Sequence, residues 1–103
     1  MTIPRFPAKR PAEETPVTIR CHGDLTDPDE TVATIDTLTV VVVKGEDANP
    51  ADILDGAAVP QGKDIIIPVH GGLAGVSYLI IPFYTTSLGR KLYAPAILPV
   101  RDL

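Results

Sequence analysis

The sequence predicts an all-β fold, and its composition provides the main reasons. The 103 residues include 11 prolines and no tryptophan, and β-branched Val, Ile and Thr are prominent. β-Branched side chains pack well on pleated strands, whereas proline is excluded from helix interiors. Apolar residues make up 45% of the chain, enough for the modest core of one small domain.

The chain divides into an N-terminal arm, residues 1–16, and a β domain, residues 17–103. The arm holds four prolines and shows no hydrophobic periodicity, which is typical of an extended polyproline segment. We expect a neighbouring subunit to order the arm, and deletion of residues 1–12 to leave the domain folded. The candidate partner-binding residues of the arm are Ile3, Arg5, Phe6, Lys9 and Arg10.

Two strands are predicted in the first half of the domain. Alternating apolar and polar residues indicate a strand over 17–22, which places Cys21 on the apolar face as a small buried side chain. The run 31–43 ends in four consecutive valines. Such a continuous apolar run is typical of a strand that is covered on both faces.

The second half is predicted to contain shorter strands and one long one. Residues 51–60 are expected to form a short helical turn or a short strand, and we favour a short strand or an irregular segment over 53–59. Residues 61–64 are expected to turn into a strand over 65–69. Residues 76–85 are expected to form the longest strand, with Tyr78, Ile80, Pro82 and Tyr84 on one face. A hairpin turn is predicted at 86–89, followed by a closing strand over 91–100 that Pro95 and Pro99 mark as an edge.

These elements amount to about six or seven short strands with turn signals roughly every 8–12 residues. The pattern favours a small antiparallel β-sandwich of immunoglobulin-like architecture. The chain lacks the Cys…Trp…Cys core of antibody domains, because it contains one cysteine and no tryptophan. A small β-barrel is the alternative fold.

Charge and hydropathy restrict the classes of partner. The net charge of -4 and the pI near 4.9 disfavour nucleic acid, which binds clustered Lys and Arg. The apolar runs are too short to span a membrane, and no apolar signal region opens the chain. We therefore expect a protein that is made in a cytosol and contacts neither nucleic acid nor membrane.

No catalytic, cofactor or metal site is predicted. His22 and His70 lack the carboxylate spacing of a zinc site, and neither Ser77 nor Ser87 lies in a nucleophile motif. The glycine-rich segment 71–75 lacks the Lys-Ser/Thr ending of a phosphate-binding loop. The acidic loop lacks the spacing of a calcium-binding loop and is expected to be solvated; it contains Asp24, Asp27, Asp29 and Glu30.

Three short segments are similar to a known class of proteins. Residues 71–78 follow the pattern GGxAGxxY, residues 86–90 follow TxxGR, and residues 27–30 spell Asp-Pro-Asp-Glu. This combination resembles small immunoglobulin-like virion proteins of tailed bacteriophages, of the fiber–tail adaptor or neck-associated type. The resemblance covers about a third of the chain, and the tryptophan that the family often carries in its middle part is absent.

The resemblance implies a non-enzymatic structural protein of the virion that needs no cofactor. Its partners would be portal, neck, tail, fiber or capsid subunits, contacted in multiple copies around a symmetric ring after assembly in the host cytoplasm. Two alternatives stay open at this point. The chain could be a capsid decoration protein, or an immunoglobulin-like binding module that is not viral.

Overall fold

The computed structural model describes residues 3–21, 25 and 27–101, and confirms the all-β prediction. Within this part of the chain, regular structure consists of seven strands and one 3-10 turn, Pro50–Ile53. The strands are β1 (Thr15–Arg20), β2 (Val32–Lys44), β3 (Val59–Gln61), β4 (Asp64–Val69), β5 (Ser77–Thr86), β6 (Lys91–Tyr93) and β7 (Ala96–Pro99).

The strands form two antiparallel sheets. The smaller sheet has the order β1-β4-β3, and the larger sheet has β5 at its centre. On one side β5 pairs with β2; on the other side it pairs with β7 through Ser77–Ile80 and with β6 through Phe83–Thr85. β2 therefore forms one edge of the larger sheet, and β6 and β7 share the opposite side.

Both sheets contribute to one buried apolar cluster. Alternate residues of β4 and β5 point into it, as the period of two in a strand requires. The face predicted for β5 is confirmed, and Cys21 is buried as expected. The central members of the cluster are Ile19, Cys21, Ile65, Ile67, Val69, Tyr78, Ile80, Tyr84, Ala96 and Leu98.

The prediction that the valine-rich strand is covered on both faces is wrong. Val40 of β2 is buried, but Val41 is 39% exposed and Val43 is 50% exposed. β2 lies at the edge of its sheet and has 13 residues, so it is also longer than β5 with 10. A run of valines reveals that a strand is apolar on both faces, and whether both are covered depends on the rest of the fold.

Two shorter predictions have different outcomes. Residues 50–53 form a 3-10 turn with proline at its start, where the missing N–H costs nothing, and residues 54–58 form an irregular segment before β3; both agree with what the sequence allows there. The closing strand is interrupted at Ala94 and Pro95, where the Ala94 amide donates to the Pro82 carbonyl. The turn at 86–89 is confirmed: Gly89 has a φ of 84°, which favours glycine.

Candidate functional site

The N-terminal arm lies alongside β7 in the parallel direction and pairs through isolated bridges, Arg5 with Ile97 and Lys9 with Val100. The amides of Phe6 and Lys9 donate to the carbonyls of Ile97 and Pro99, both at 2.9 Å. In return, the Ile97 amide donates to the Pro4 carbonyl, and the Arg101 amide donates to the Lys9 carbonyl. β7 is therefore covered by its own chain, which corrects the prediction that the closing strand is an edge.

Lys9 is a buried cation that fixes the arm to the glycine-rich corner. Its side chain is 4% exposed, and Nζ donates to the carbonyls of Gly71 at 2.6 Å, Arg10 at 2.7 Å and Pro11 at 3.3 Å. These three acceptors match the three donors of an ammonium group. Burial lowers the pKa of Lys9 from its usual value, although Glu13 and Glu14 oppose the shift.

The candidate partner-binding residues of the arm therefore separate into two groups. Phe6 packs against the core, and Lys9 binds carbonyls of its own chain, so both side chains act within the subunit. Ile3, Arg5 and Arg10 are exposed on the docked arm. Contact of these three residues with a neighbouring subunit stays a prediction.

Glu30 anchors the start of β2 to the hairpin between β5 and β6. Its carboxylate is 1% exposed and accepts hydrogen bonds from the Thr86 hydroxyl at 2.6 Å and from Arg90 Nε at 2.9 Å. A second nitrogen of Arg90 donates to the other carboxylate oxygen. The hydrogen bonds from Arg90 and Thr86 lower the pKa of Glu30 to about 2.

The prediction that the acidic loop is solvated is confirmed for Asp27 and Asp29 and is wrong for Glu30. Asp27 and Asp29 are exposed, and the Asp27 carboxylate accepts a hydrogen bond from the Asp29 amide. Glu30 is buried and paired, while Asp24 and His22 lie outside the described residues. In the part of the chain that the structure describes, no three His, Cys, Asp or Glu side chains are grouped to hold a metal ion.

Asp47 and Tyr78 hold the other end of β2. The Tyr78 hydroxyl donates to Asp47 Oδ2 at 2.6 Å and accepts from the Leu73 amide at 3.0 Å. Burial, reinforced by the Asp47 carboxylate, raises the pKa of Tyr78 to about 12. The neighbouring Gly72 has a φ of 92°, and a Cβ there would lie 3.0 Å from a methyl group of Val100, so the corner requires glycine for packing.

The remaining candidates for chemistry are scattered. His70 Nδ1 lies 3.9 Å from Asp55 Oδ1, and both side chains are well exposed. The Ser87 hydroxyl accepts a hydrogen bond from the Thr31 amide, which gives it a structural role at the hairpin. Neither group lies beside a second set of reactive side chains in the described ranges, and we assign no catalytic role to either.

The larger sheet carries apolar side chains on the surface that faces away from the core. On β5, Leu79, Ile81 and Phe83 alternate with the buried residues, and each is only half-buried. Val41 lies opposite Leu79, and Tyr93 lies opposite Phe83 with ring centroids 4.6 Å apart. We call these five residues the outer face.

The charged side chains of Lys91 and Asp36 lie at the margin of the outer face. Lys91 Nζ lies 6.0 Å from the centre of the Phe83 ring and 3.8 Å from Asp36 Oδ2. The Thr85 hydroxyl also donates to Asp36 at 2.6 Å, and this bond lowers the pKa of that carboxyl. A polar rim around an apolar centre is the usual composition of a protein-binding surface.

No helix among the described residues is long and apolar enough to cross a membrane. Comparisons of the chain with known protein families, with curated proteins and with solved structures found no match.

Proposed function

We propose that this chain is a non-enzymatic, immunoglobulin-like adaptor that joins neighbouring protein subunits in the virion of a tailed bacteriophage. The observation that carries the proposal is the outer face. Antiparallel sheets that face water usually alternate apolar inward and polar outward residues. β5 instead presents Leu79, Ile81 and Phe83 outward, as expected for a surface that another protein covers.

The strand order supports the immunoglobulin-like part of the proposal. If β1 to β5 are strands B to F and β6 with β7 is strand G, the two sheets have the orders B-E-D and C-F-G. Immunoglobulin-like sandwiches combine these two sheets. Tyr78 adds a second similarity, because a tyrosine near the start of strand F bonds through its hydroxyl to the backbone upstream, here to Leu73.

The virion part of the proposal rests on the resemblance of three segments to phage proteins. Two of these segments, 71–78 and 86–90, lie at the two ends of β5, and the third, 27–30, meets the second through the pair of Glu30 and Arg90. The similar residues thus organise the strand that carries the outer face. A further contact is available from the exposed arm residues Ile3, Arg5 and Arg10.

Mass spectrometry of purified particles tests this function. The gene is deleted from the phage genome and supplied to the host on a plasmid, and the copy number of the chain is compared with that of the major capsid protein. We expect a fixed, low copy number, as a ring at the neck or tail requires. A copy number near that of the capsid protein would favour the decoration alternative, and absence from the particles would contradict the virion role.

A matched pair of variants tests the outer face in the same experiment. Val41→Glu places a charge on the outer face, whereas Val59→Glu places one at a 53% exposed valine of the smaller sheet. We expect the first variant to be depleted from particles and the second to be retained. Equal incorporation of both variants would contradict the role of the outer face while leaving the virion assignment to the copy-number measurement.

A further inference from the structure

The edge strand β2 is open to another strand along most of its length. Among the described residues β2 pairs with β5, and the Val32 amide donates to the Gly62 carbonyl at its start. Open edges are normally blunted by proline, by charges, by shortness or by β-bulges, and the irregularities of β2 lie towards its two ends. β2 is 13 residues long, contains no proline, and has Asp36 and Lys44 as its charged residues.

The central part of β2 has the regular geometry that strand pairing needs. Three register shifts occur, between Val32 and Thr34, between Ile35 and Thr37 and between Val42 and Lys44. Between the last two, Thr37–Val42 pairs residue for residue with Phe83 to Tyr78 of β5. The last two irregularities bracket this unbroken stretch. Asp36 lies within the first of the two and Lys44 just after the second, so the charged residues flank the stretch.

We propose that β2 pairs with β2 of a second copy of this chain, antiparallel and about a two-fold axis at Val40. In such a pair, residues equally distant from Val40 lie opposite each other. Asp36 and Lys44 flank the unbroken stretch Thr37–Val42 at its two ends, so antiparallel pairing brings Asp36 of either copy close to Lys44 of the other. The interface is isologous, and the axis creates two opposite-charge pairs.

The neighbouring registers lack this charge complementarity. Side chains alternate between the two faces of a strand. A neighbouring register that keeps the same faces together therefore differs from this one by two residues. A step in one direction moves Asp36 towards Glu46, a like charge beyond the end of β2. A step in the other direction moves Asp36 and Lys44 away from each other. The axis at Val40 also pairs Thr39 with Val41 of the second copy, a favourable β-branched combination.

An open groove of about 280 Å³ lies beside the first part of β2. It is lined by Ile35–Leu38 and by Leu54, Gly56, Ala57 and Ala58. In the proposed register Val42 of the second copy lies opposite Leu38, at this groove. The pairing joins the two larger sheets into one continuous sheet and extends the outer face across the axis. This inference goes beyond the proposed function, because it concerns the purified chain alone.

Sedimentation equilibrium of the full chain tests the dimer and its register. We expect a concentration-dependent species of twice the 11.0 kDa mass of the chain. Lys44→Glu should raise the dissociation constant roughly tenfold, because both pairs then join like charges. Lys44→Arg keeps the opposite-charge pairs and leaves the contacts of Asp36 with Thr85 and Lys91 intact, so it should dimerise like the wild type. Arg101→Glu changes the net charge equally on an exposed residue away from β2 and should have no effect.

Oxidative cross-linking supplies a second test that is independent of charge. The variant Thr39→Cys with Val41→Cys places two opposite pairs across the axis, while Thr37→Cys with Thr39→Cys places its nearest pair diagonally, beyond disulfide reach. Cys21 is buried and does not compete. We expect covalent dimers from the first variant alone. A chain that stays monomeric, a Lys44→Glu dimer as strong as the control, or equal cross-linking of both cysteine variants would each overturn the inference.

Discussion

The two sides of the larger sheet differ in whether the chain covers them. The β7 side contains Pro95 and Pro99 and is covered by the arm of the same chain. The β2 side is longer, contains no proline and has no covering strand along Thr34–Lys44 among the described residues. Proline removes backbone donors and protects an edge even without a cover. The chain therefore covers the edge that needs less protection and leaves open the edge that is best suited to pairing.

The open edge is nevertheless held firmly from within its own sheet. Glu30 ties the beginning of β2 to Thr86 and Arg90, and Asp47 ties the loop after β2 to Tyr78. Asp36 bonds to Thr85 between these points. A strand that is fixed at both ends loses little conformational entropy when a partner binds, which favours association.

Removing the arm should produce the largest change, because it converts the covered edge into a second open one. Deletion of residues 1–12 eliminates the four backbone hydrogen bonds that join the arm to residues 97–101, the contact of Phe6 with the core and the Lys9 side chain. We expect the free energy of unfolding to fall by about 4 kcal/mol or more, measured by denaturant titration. A truncated chain as stable as the full one would show that the arm is an accessory, as its sequence alone predicted.

Replacing the buried ammonium should have a smaller effect on the same side. Lys9→Met keeps the apolar stem but leaves the Gly71 carbonyl without its donor, and should cost about 2 kcal/mol of unfolding free energy. Arg10→Met is the matched control, since Arg10 is exposed on the arm and its backbone amide, which donates to Glu13, is retained. Equal melting temperatures for the two variants would contradict the role of Lys9 in fixing the arm to the glycine-rich corner.

Local patterns in the sequence predict the parts of the fold that local chemistry determines. The alternation in 76–85 predicts which face of β5 is buried, and Gly89 marks the hairpin turn. The uncovered face of β2 and the docked arm could not be predicted in this way. Both depend on which elements meet after the chain has folded, and periodicity is the same for a covered and an uncovered apolar face.

The side-chain pairs at the candidate site were missed for a related reason. Glu30 and Arg90 are 60 residues apart, and Lys9 and Gly71 are 62 residues apart. A charged residue in an acidic loop or a proline-rich arm has the composition of a solvated residue, so burial was not expected for either. Asp36 and Lys44 are the charged residues of β2 and can be identified in the sequence. Their positions indicate how two β2 strands would pair only once β2 is known to be an edge.

The pH dependence of stability tests whether Glu30 anchors the start of the open edge strand β2. The pKa of Glu30 is about 2 in the folded chain against 4.5 as the ordinary value, so the folded state binds its proton less readily than the unfolded state does. The stabilisation is therefore complete above pH 4.5 and is lost as the pH falls towards 2. Thermal melts across this window should show a steeper decline for the wild type than for Glu30→Gln.

The residual decline in Glu30→Gln should come from Asp36 and Asp47, whose pKa values are also lowered by hydrogen bonds from Thr85 and Tyr78. Asp29→Asn alters an exposed carboxylate of the same loop and should follow the wild-type curve. Identical curves for Glu30→Gln and the wild type would mean that Arg90 does not hold the start of β2 through this carboxylate. In that case the open edge would lack its anchor at Glu30, and a partner strand would have to order that end of β2 as it binds.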